Sequence, residues 1–552
     1  LPWLALGVIL GATVTGGLVL AAFRLFSPAG TPPALSPPVL VEEARSAGLE
    51  HVYAGGFEYF VGGGVATFDC DADGRPELFL AGGAGPASLH RNRSSPGGPL
   101  RFTPIGSPIT DLVGVTGAYP LDADGDGVTD LAVLRVGENV LLRGLGRCRF
   151  ERANEALGLA GGEAWTVGFS AYWPDGDRLP TMVFGNYLRS GDERTCDDHE
   201  LVTAAPDDGR DVDGDDGRDR FAPPVPVSPG WCSLSMLFSD WQRTGRVDLR
   251  VANDRHYYND GQEQLLRVVD RGLVAYTADD GWQPLQIWGM GIAGTDLSGD
   301  GRPEYYLTSQ GDNKFQSLVD GVDGPEYRDI ALERGVTAHR PFIGGDSLPS
   351  TAWHPQFADV NNDGLIDLYV SKGNVDAMPE FARRDPSNLL LGQPDGTFTE
   401  AADAAGIVGY ERGRGAAVVD LNLDGMLDLV QVNREAPVSL WRNLGWGDVD
   451  QPRPMGHWLQ VAVGQDGANV NAVGAWVEVR IDGRIQSREL TVGGGHASGQ
   501  LGWLHFGLGD STEAELRVTW PDGERSGWFD VDADRFVVLD RSAGGPVEWR
   551  PS

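Results

Sequence analysis

Between residues 39 and 450 the chain repeats one pattern of apolar and polar positions. Each unit opens on small and apolar residues: GGGVATFD, GVTGAYPLD, TVGFSAYW, SLSMLFSD, GMGIAGTD, AWHPQFAD and GRGAAVVD. In most units a short acidic stretch follows, and then a second apolar run such as LFLAGG, LAVLRV, YYLTSQ, LYVSKG or LVQVN. Apolar runs this short, bounded by turn residues, predict buried strands. A third segment, as in NVLLRGLGRCRF and NLLLGQPDGTFTE, predicts an outer hairpin. The unit recurs roughly every 50–65 residues, the spacing of a repeat built from one supersecondary element. Four short strands per unit, arranged radially, describe a β-propeller blade, and seven units predict an all-β, seven-bladed ring. LVEEARSAGL (40–49) has the look of FTEAADAAGI (398–407), which separates two units. The N-terminal segment is therefore expected to complete the last blade and remove an exposed sheet edge.

After residue 455 the pattern changes to longer alternating strands: HWLQVAV, AWVEVRI, QSRELTV, LHFGLG and ELRVTW. Tight turns at Asp482-Gly483 and Asp522-Gly523 separate some of them. This predicts a small antiparallel β-domain over 455–541, with 542–552 as a tail. At the other end, the first 23 residues carry no charge. That length predicts a transmembrane helix over 1–24. Residues 25–38 are Pro-rich and predict a semi-rigid spacer of about 40 Å.

Lys and Arg number 44 against 79 Asp and Glu, a formal charge of −35. Such a surface excludes nucleic acid as a partner, because phosphate recognition needs a basic face. Much of the acid sits in a nine-residue loop, at Asp69 (DCDADGRPE), Asp122 (DADGDGVTD), Asp296 (DLSGDGRPE), Asp359 (DVNNDGLID) and Asp420 (DLNLDGMLD). Oxygen-bearing side chains stand at positions 1, 3, 5 and 9, and Gly at position 6. Hard cations such as Ca²⁺ take six to eight oxygens, and Gly lets the backbone turn back on the ion. An EF-hand would need Glu at position 12 and flanking helices. Position 12 here is Leu80, Val133, Leu307, Val370 or Gln431, and strands flank the loops. A plain turn without an ion is the remaining alternative. The third unit (Trp173 to Pro180) and the fourth (Asp240 to Asp248) keep the strand pattern with a damaged loop. About five Ca²⁺ sites are therefore expected, by the loop count.

Residues 190–230 read as an acidic insertion, within which 206–220 is a solvated charge run. Cys196 and Cys232 bracket it, which favours their pairing; such a bond is worth roughly 4 kcal/mol in the chain-entropy picture. Cys70 with Cys148 then follows by exclusion. Paired cysteines and weak multi-Asp calcium sites both point to an extracytoplasmic compartment.

The loops resemble integrin-type FG-GAP repeats. The C-terminal segments GHWLQVAV, NAVGAWVEV, GGGHASGQ, LHFGLG and VTWPDG resemble an ASPIC/UnbV domain, and together the two resemblances cover nearly everything after residue 38. The architecture is similar to that of cartilage-acidic-protein-like bacterial proteins. This resemblance implies a calcium-binding seven-bladed propeller followed by a small β-domain. On the matching positions it implies side-chain ligands at Asp69, Asp71, Asp73 and Glu77, then at Asp122, Asp124, Asp126 and Asp130. It implies further sets at Asp296, Ser298, Asp300 and Glu304, at Asp359, Asn361, Asp363 and Asp367, and at Asp420, Asn422, Asp424 and Asp428. Ser298 departs from the acidic pattern.

No HExxH, GxSxG or Walker loop is present, and the nine histidines are scattered, His496 and His505 being the one close pair near glycine turns. The reading is a non-enzymatic, calcium-stabilised interaction or scaffold module. It would be held by a single N-terminal helix at a bacterial inner membrane, with its bulk in the periplasm or outside the cell. Other membrane-protein subunits would be its partners. A carbohydrate-binding or carbohydrate-processing propeller is the alternative, suggested by sixteen Trp residues.

Overall fold

A computed structural model describes residues 36–551 apart from 193, 207–218, 255–260 and 284. The expected membrane helix, nearly all of the spacer and most of the acidic run 206–220 lie outside the described residues. Among the described residues no helix is long and apolar enough to cross a membrane.

The repeat pattern becomes seven antiparallel sheets, six of four strands and one of five. Their leading strands are Val65–Phe68, Val113–Leu121, Thr166–Tyr172, Ser233–Ser239, Ile292–Thr295, Ala352–Ala358 and Arg412–Val419. Each leading strand lies against that of the next sheet, and the seventh lies against the first. The fold is propeller-like. The second sheet gains its fifth strand from Gly83–Pro86, which pairs with Val113–Leu121.

The N-terminal segment behaves as its likeness to 398–407 predicts. Leu40–Glu42 pairs antiparallel with Ser439–Asn443 and becomes the outer strand of the seventh sheet. A one-turn helix follows at Ala44–Ala47, matched by Ala331–Arg334 and Ala402–Ala405. Each ends in a left-handed glycine, Gly48, Gly335 and Gly406. A Cβ on these glycines would lie 2.8 Å from Phe102 O, 3.2 Å from Phe398 O and 2.8 Å from Leu40 O, respectively. Each turn thus seats on the outer strand of a following sheet, and only glycine permits both the backbone angle and the approach.

Residues 190–230 are not wholly an insertion. Their described parts include His199–Val202 and Val225–Val227, the two outer strands of the third sheet. Both disulfides form as expected, Cys70 with Cys148 and Cys196 with Cys232.

The C-terminal domain is two four-stranded sheets. They enclose a core that includes Leu459, Val461, Val477, Val479, Phe506, Leu516 and Val518. It departs from the expected all-antiparallel order at one place, because His457–Gly464 and Arg535–Asp540 run parallel. The residues read as a tail also supply a strand, Val547–Trp549.

The segment joining strands Arg484–Glu489 and Leu504–Gly509 leaves this domain and enters the middle of the seven sheets. It hydrogen-bonds to the leading strand of every one. Leu501 N donates to Thr67 O (3.0 Å), Gly499 N to Ala118 O (3.0 Å) and Gly495 N to Ile292 O (2.7 Å). Gly494 N donates to Met236 O (2.6 Å), and Ala171 N donates to Val492 O (3.0 Å). His496 N donates to His354 Nδ1 (3.0 Å), and Gln500 Nε2 to Val418 O (3.4 Å). The small residues that open each unit make room for it.

A Cβ on Gly64 would lie 1.7 Å from Ala497 O. Gly64→Ala is therefore expected to displace the central segment, at an overpacking cost of about 3 kcal/mol or more. The thermal midpoint should fall and the 446–456 connection should become cleavable in limited proteolysis. Gly527→Ala, where an added Cβ meets nothing within 4 Å, serves as the neutral control.

Candidate metal loops and the face they share

Each acidic loop begins directly after a leading strand and ends at the start of the next strand, so the loops all emerge on one end of the sheets. Their backbone is uniform. Position 6 is a left-handed glycine at Gly74, Gly127, Gly301, Gly364 and Gly425. Position 4 is left-handed too, at Ala72, Gly125, Gly299, Asn362 and Leu423, a feature hidden by the mixture of residue types.

The position-1 carboxylate holds this turn from inside. Asp122 Oδ2 accepts Gly127 N (2.7 Å), Asp359 Oδ2 accepts Gly364 N (2.8 Å) and Asp420 Oδ2 accepts Gly425 N (2.8 Å). Asp69 and Asp296 accept Gly74 N and Gly301 N in the same way. Position 5 accepts the N–H two residues on, as Asp73 does from Arg75, Asp126 from Val128, Asp300 from Arg302, Asp363 from Leu365 and Asp424 from Met426.

Position 9 also carries hydrogen bonds that hold the fold. Its two oxygens bridge the loop to a distant strand. Asp130 accepts Ala123 N (2.8 Å) and Gly144 N (2.7 Å), Asp367 accepts Val360 N and Gly392 N, and Asp428 accepts Leu421 N and Asn443 N. Glu77 does the same with Cys70 N and Asn92 N. Glu304 accepts Leu297 N and the Ser317 hydroxyl.

In the first two loops, positions 1, 3 and 9 bring their oxygens together. Asp69, Asp71 and Glu77, and likewise Asp122, Asp124 and Asp130, each place one carboxylate oxygen within 4.8 Å of the others. Several buried oxygens have no partner in the protein: Asp71 Oδ1, Asp124 Oδ1, Asp296 Oδ1 and Asn422 Oδ1. Arginines answer part of the charge in these loops, with Arg91 Nε 3.1 Å from Asp71 and Arg143 Nε 2.6 Å from Asp124. In the last two loops the position-3 residues Asn361 and Asn422 donate to Asp363 and Asp424, both at 3.0 Å.

Burial dominates the electrostatics. Desolvation, with neighbouring carboxylates adding to it, pushes Glu77 up to about 9, Asp130 to about 8 and Glu304 to about 7. Asp122 rises to about 6, and burial drives Asp359, Asp367, Asp424 and Asp428 well above the usual carboxylate range. Asp420 reaches about 6, burial again being the main cause. Carboxylates held this way are either protonated or matched by a cation. An all-oxygen donor set with unpartnered buried oxygens suits a hard divalent ion better than a soft one.

The C-terminal domain sits on this same face. Gln460 Nε2 donates to Asp420 Oδ2 (2.6 Å), His505 Nε2 to Asn362 Oδ1 (2.7 Å) and Trp503 Nε1 to Gly74 O (3.3 Å). The fourth sheet keeps the turn, with Asp240 Oδ2 accepting Gly245 N (2.6 Å), and carries Gln242, Arg243 and Thr244 at positions 3 to 5. That guanidinium lies 3.1 Å from Glu478 and 4.5 Å from the centre of the Trp476 ring, both in the C-terminal domain. Its charge also lowers the titration of Asp296 in the next loop, against the larger effect of burial. Sequence reading missed Arg243, Gln460 and Glu478. The one available signal was the arginine at position 4 of an acid-poor loop.

His496, singled out by its glycine-rich surroundings, is fully buried in the central segment, its ring 5.0 Å from Trp353. Burial holds its titration down at about 3. This is a packed histidine without an open face for substrate.

The FG-GAP-like repeat profile matches residues 69–133, and the ASPIC and UnbV profile matches residues 465–546. Human cartilage acidic protein 1 is 25% identical over 242 residues, covering 43% of this chain and 33% of that protein. The Xenopus tropicalis protein of the same name is 25% identical over 265 residues, covering 46% and 37%. The chain thus matches only about a third of the length of these relatives. Among solved structures, an Agrocybe aegerita lectin described as recognising non-reducing terminal N-acetylglucosamine aligns at 17% identity and a TM-score of 0.38, covering 70% of this chain and 92% of the lectin. Trypanosoma rangeli sialidase aligns at 10% identity and a TM-score of 0.33, covering 64% and 57%. At these TM-scores neither likeness bears on function. The loops, the sheets and the C-terminal domain agree with the profiles: the chain carries an FG-GAP-like repeat match and a C-terminal ASPIC and UnbV match, and is similar to cartilage acidic protein 1.

Proposed function

We propose that this chain is a non-enzymatic interaction module, a closed seven-bladed propeller stiffened by calcium and carried on the outer face of a membrane. The observation that carries the calcium reading is the set of buried loop oxygens without protein partners, on Asp71, Asp124, Asp296 and Asn422. They recur in one loop design, and buried polar atoms left unpaired are costly. Bound calcium would supply the missing positive charge and oxygen coordination. Asp69, Asp71 and Glu77, and Asp122, Asp124 and Asp130, would hold it in the first two loops. The remaining three loops would use the equivalent positions.

Ring closure is supported by the contact of the seventh leading strand with the first, and by the N-terminal strand in the seventh sheet. With the axis filled by residues 492–501, the partner surface falls to the rim and outer edges. Two disulfides support an oxidising, extracytoplasmic setting. The apolar run 1–24 would anchor the body at a bacterial inner membrane and dock into a larger membrane assembly. Copurification of the full chain in mild detergent tests that part; recovery without any other membrane subunit would count against it.

Chelation with EGTA is expected to lower the thermal midpoint, and added Ca²⁺ to restore it. Each site should add about 2.7 kcal/mol at a hundredfold excess over its Kd. Asp122→Ala should remove one bound ion per chain by metal analysis. An unchanged midpoint in EGTA would sink the calcium reading.

The chelated chain should also respond to pH. Glu77, Asp130 and Glu304 titrate at about 9, 8 and 7 in the fold, above their ordinary values. The folded chain therefore holds more protons than the unfolded one, and these groups stabilise it fully only at low pH. Their contribution is lost as pH rises through about 7 to 9. Thermal melts in EGTA should show the midpoint falling from pH 5 to pH 9, and saturating calcium should flatten the profile.

A further inference from the structure

Two of the seven sheets depart from the loop design, and they are neighbours. In the other five, Asp69, Asp122, Asp296, Asp359 or Asp420 directly follows the leading strand. In the third sheet Trp173 stands there instead. The fourth keeps Asp240 and has Gln242 at position 3. Between these two loops and the C-terminal domain lies a cavity of about 440 Å³. That is room for a small ligand, since such sites run from roughly 300 to 1,000 Å³.

Its walls combine aromatic faces with hydrogen-bonding groups. Tyr172, Trp173 and Tyr276 give the apolar surface, and Gln242, Arg246 and Thr491 the polar one. The Trp173 Nε1 donor finds no acceptor in the protein. Of the three acids that line the cavity, Asp175 is exposed at its edge, and Asp240 and Asp248 are already committed. Asp240 accepts Thr244 N and Gly245 N, and Asp248 Oδ2 accepts Trp241 Nε1 (2.8 Å) and the Tyr276 hydroxyl (2.7 Å). Arg267 is paired with Asp280. One exposed carboxylate, Asp175, falls short of the six to eight oxygens a hard cation takes, and Arg246 alone is a thin basis for binding an anion. What fits is a neutral ligand with an apolar face and a rim of hydroxyls.

We infer that this cavity is a saccharide-binding site, sized for one or two pyranose rings, formed where the ring gave up its acidic loops and completed by the C-terminal domain. It is independent of the calcium reading, because neither loop carries the full acid set.

The full chain, in buffer containing calcium, is titrated by isothermal calorimetry and saturation-transfer NMR. The probes are glucose, galactose, mannose and N-acetylglucosamine and their β-1,4-linked dimers. At least one sugar should bind saturably at one site per chain. Trp173→Ala should weaken it tenfold or more. Gln242→Ala and Thr491→Arg should do the same with the thermal midpoint unchanged, which covers the case in which the tryptophan variant fails to fold. No binding across the panel, or wild-type affinity in both Gln242→Ala and Thr491→Arg, overturns the proposal.

Discussion

The insertion of residues 492–501 along the middle of the seven sheets is the constraint on which the rest of the molecule depends. Short sheets of four strands cannot bury their leading edges alone, and seven packed side by side by those edges leave backbone N–H and C=O groups facing the middle. Here the central segment pairs with such groups on six sheets and with the His354 side chain on the sixth in order. Buried backbone polar groups must find partners, so the segment and the strands it touches stand or fall together. The small residues opening each unit follow from this requirement, since Gly64 and Gly117 leave no room for a side chain against Ala497.

That insertion fixes where the C-terminal domain sits. A loop threaded along the axis holds its parent domain against one end of the sheets, the end from which the acidic loops emerge. The interface is therefore dense in buried charge. Two means of balancing it are visible in the protein itself. Arginines lie against the first two loops, and Arg243 spans the fourth loop and Glu478 of the C-terminal domain. The sixth and seventh loops carry Asn at position 3 and lie deeper, with Asp359, Asp367 and Asp428 driven strongly toward the protonated form by burial. Buried like charges at this density are costly unless neutralised, and a cation bound as proposed would act at the junction of the two domains.

Much of the fold was legible in the chain because its determinants are local. A nine-residue loop whose first carboxylate accepts its own sixth N–H carries its geometry in its sequence, and so does a left-handed glycine after a one-turn helix. The strand runs, the N-terminal strand that joins the seventh sheet, and both disulfides followed from the same reading. What the sequence could not carry was partnership at a distance. Val65 N donates to Ser498 Oγ across 433 residues, and Gln460 reaches Asp420 from another domain. Asp130 and its equivalents also bridge to strands beyond the loop, a partnership the spacing does not show, because burial rewards pairing with the nearest unsatisfied N–H. The sequence alone determined the turns and the strands, whose forces act within a few residues. Only the tertiary structure decided that the C-terminal domain is the axle of the sheets, since complementarity across hundreds of residues leaves no periodic trace.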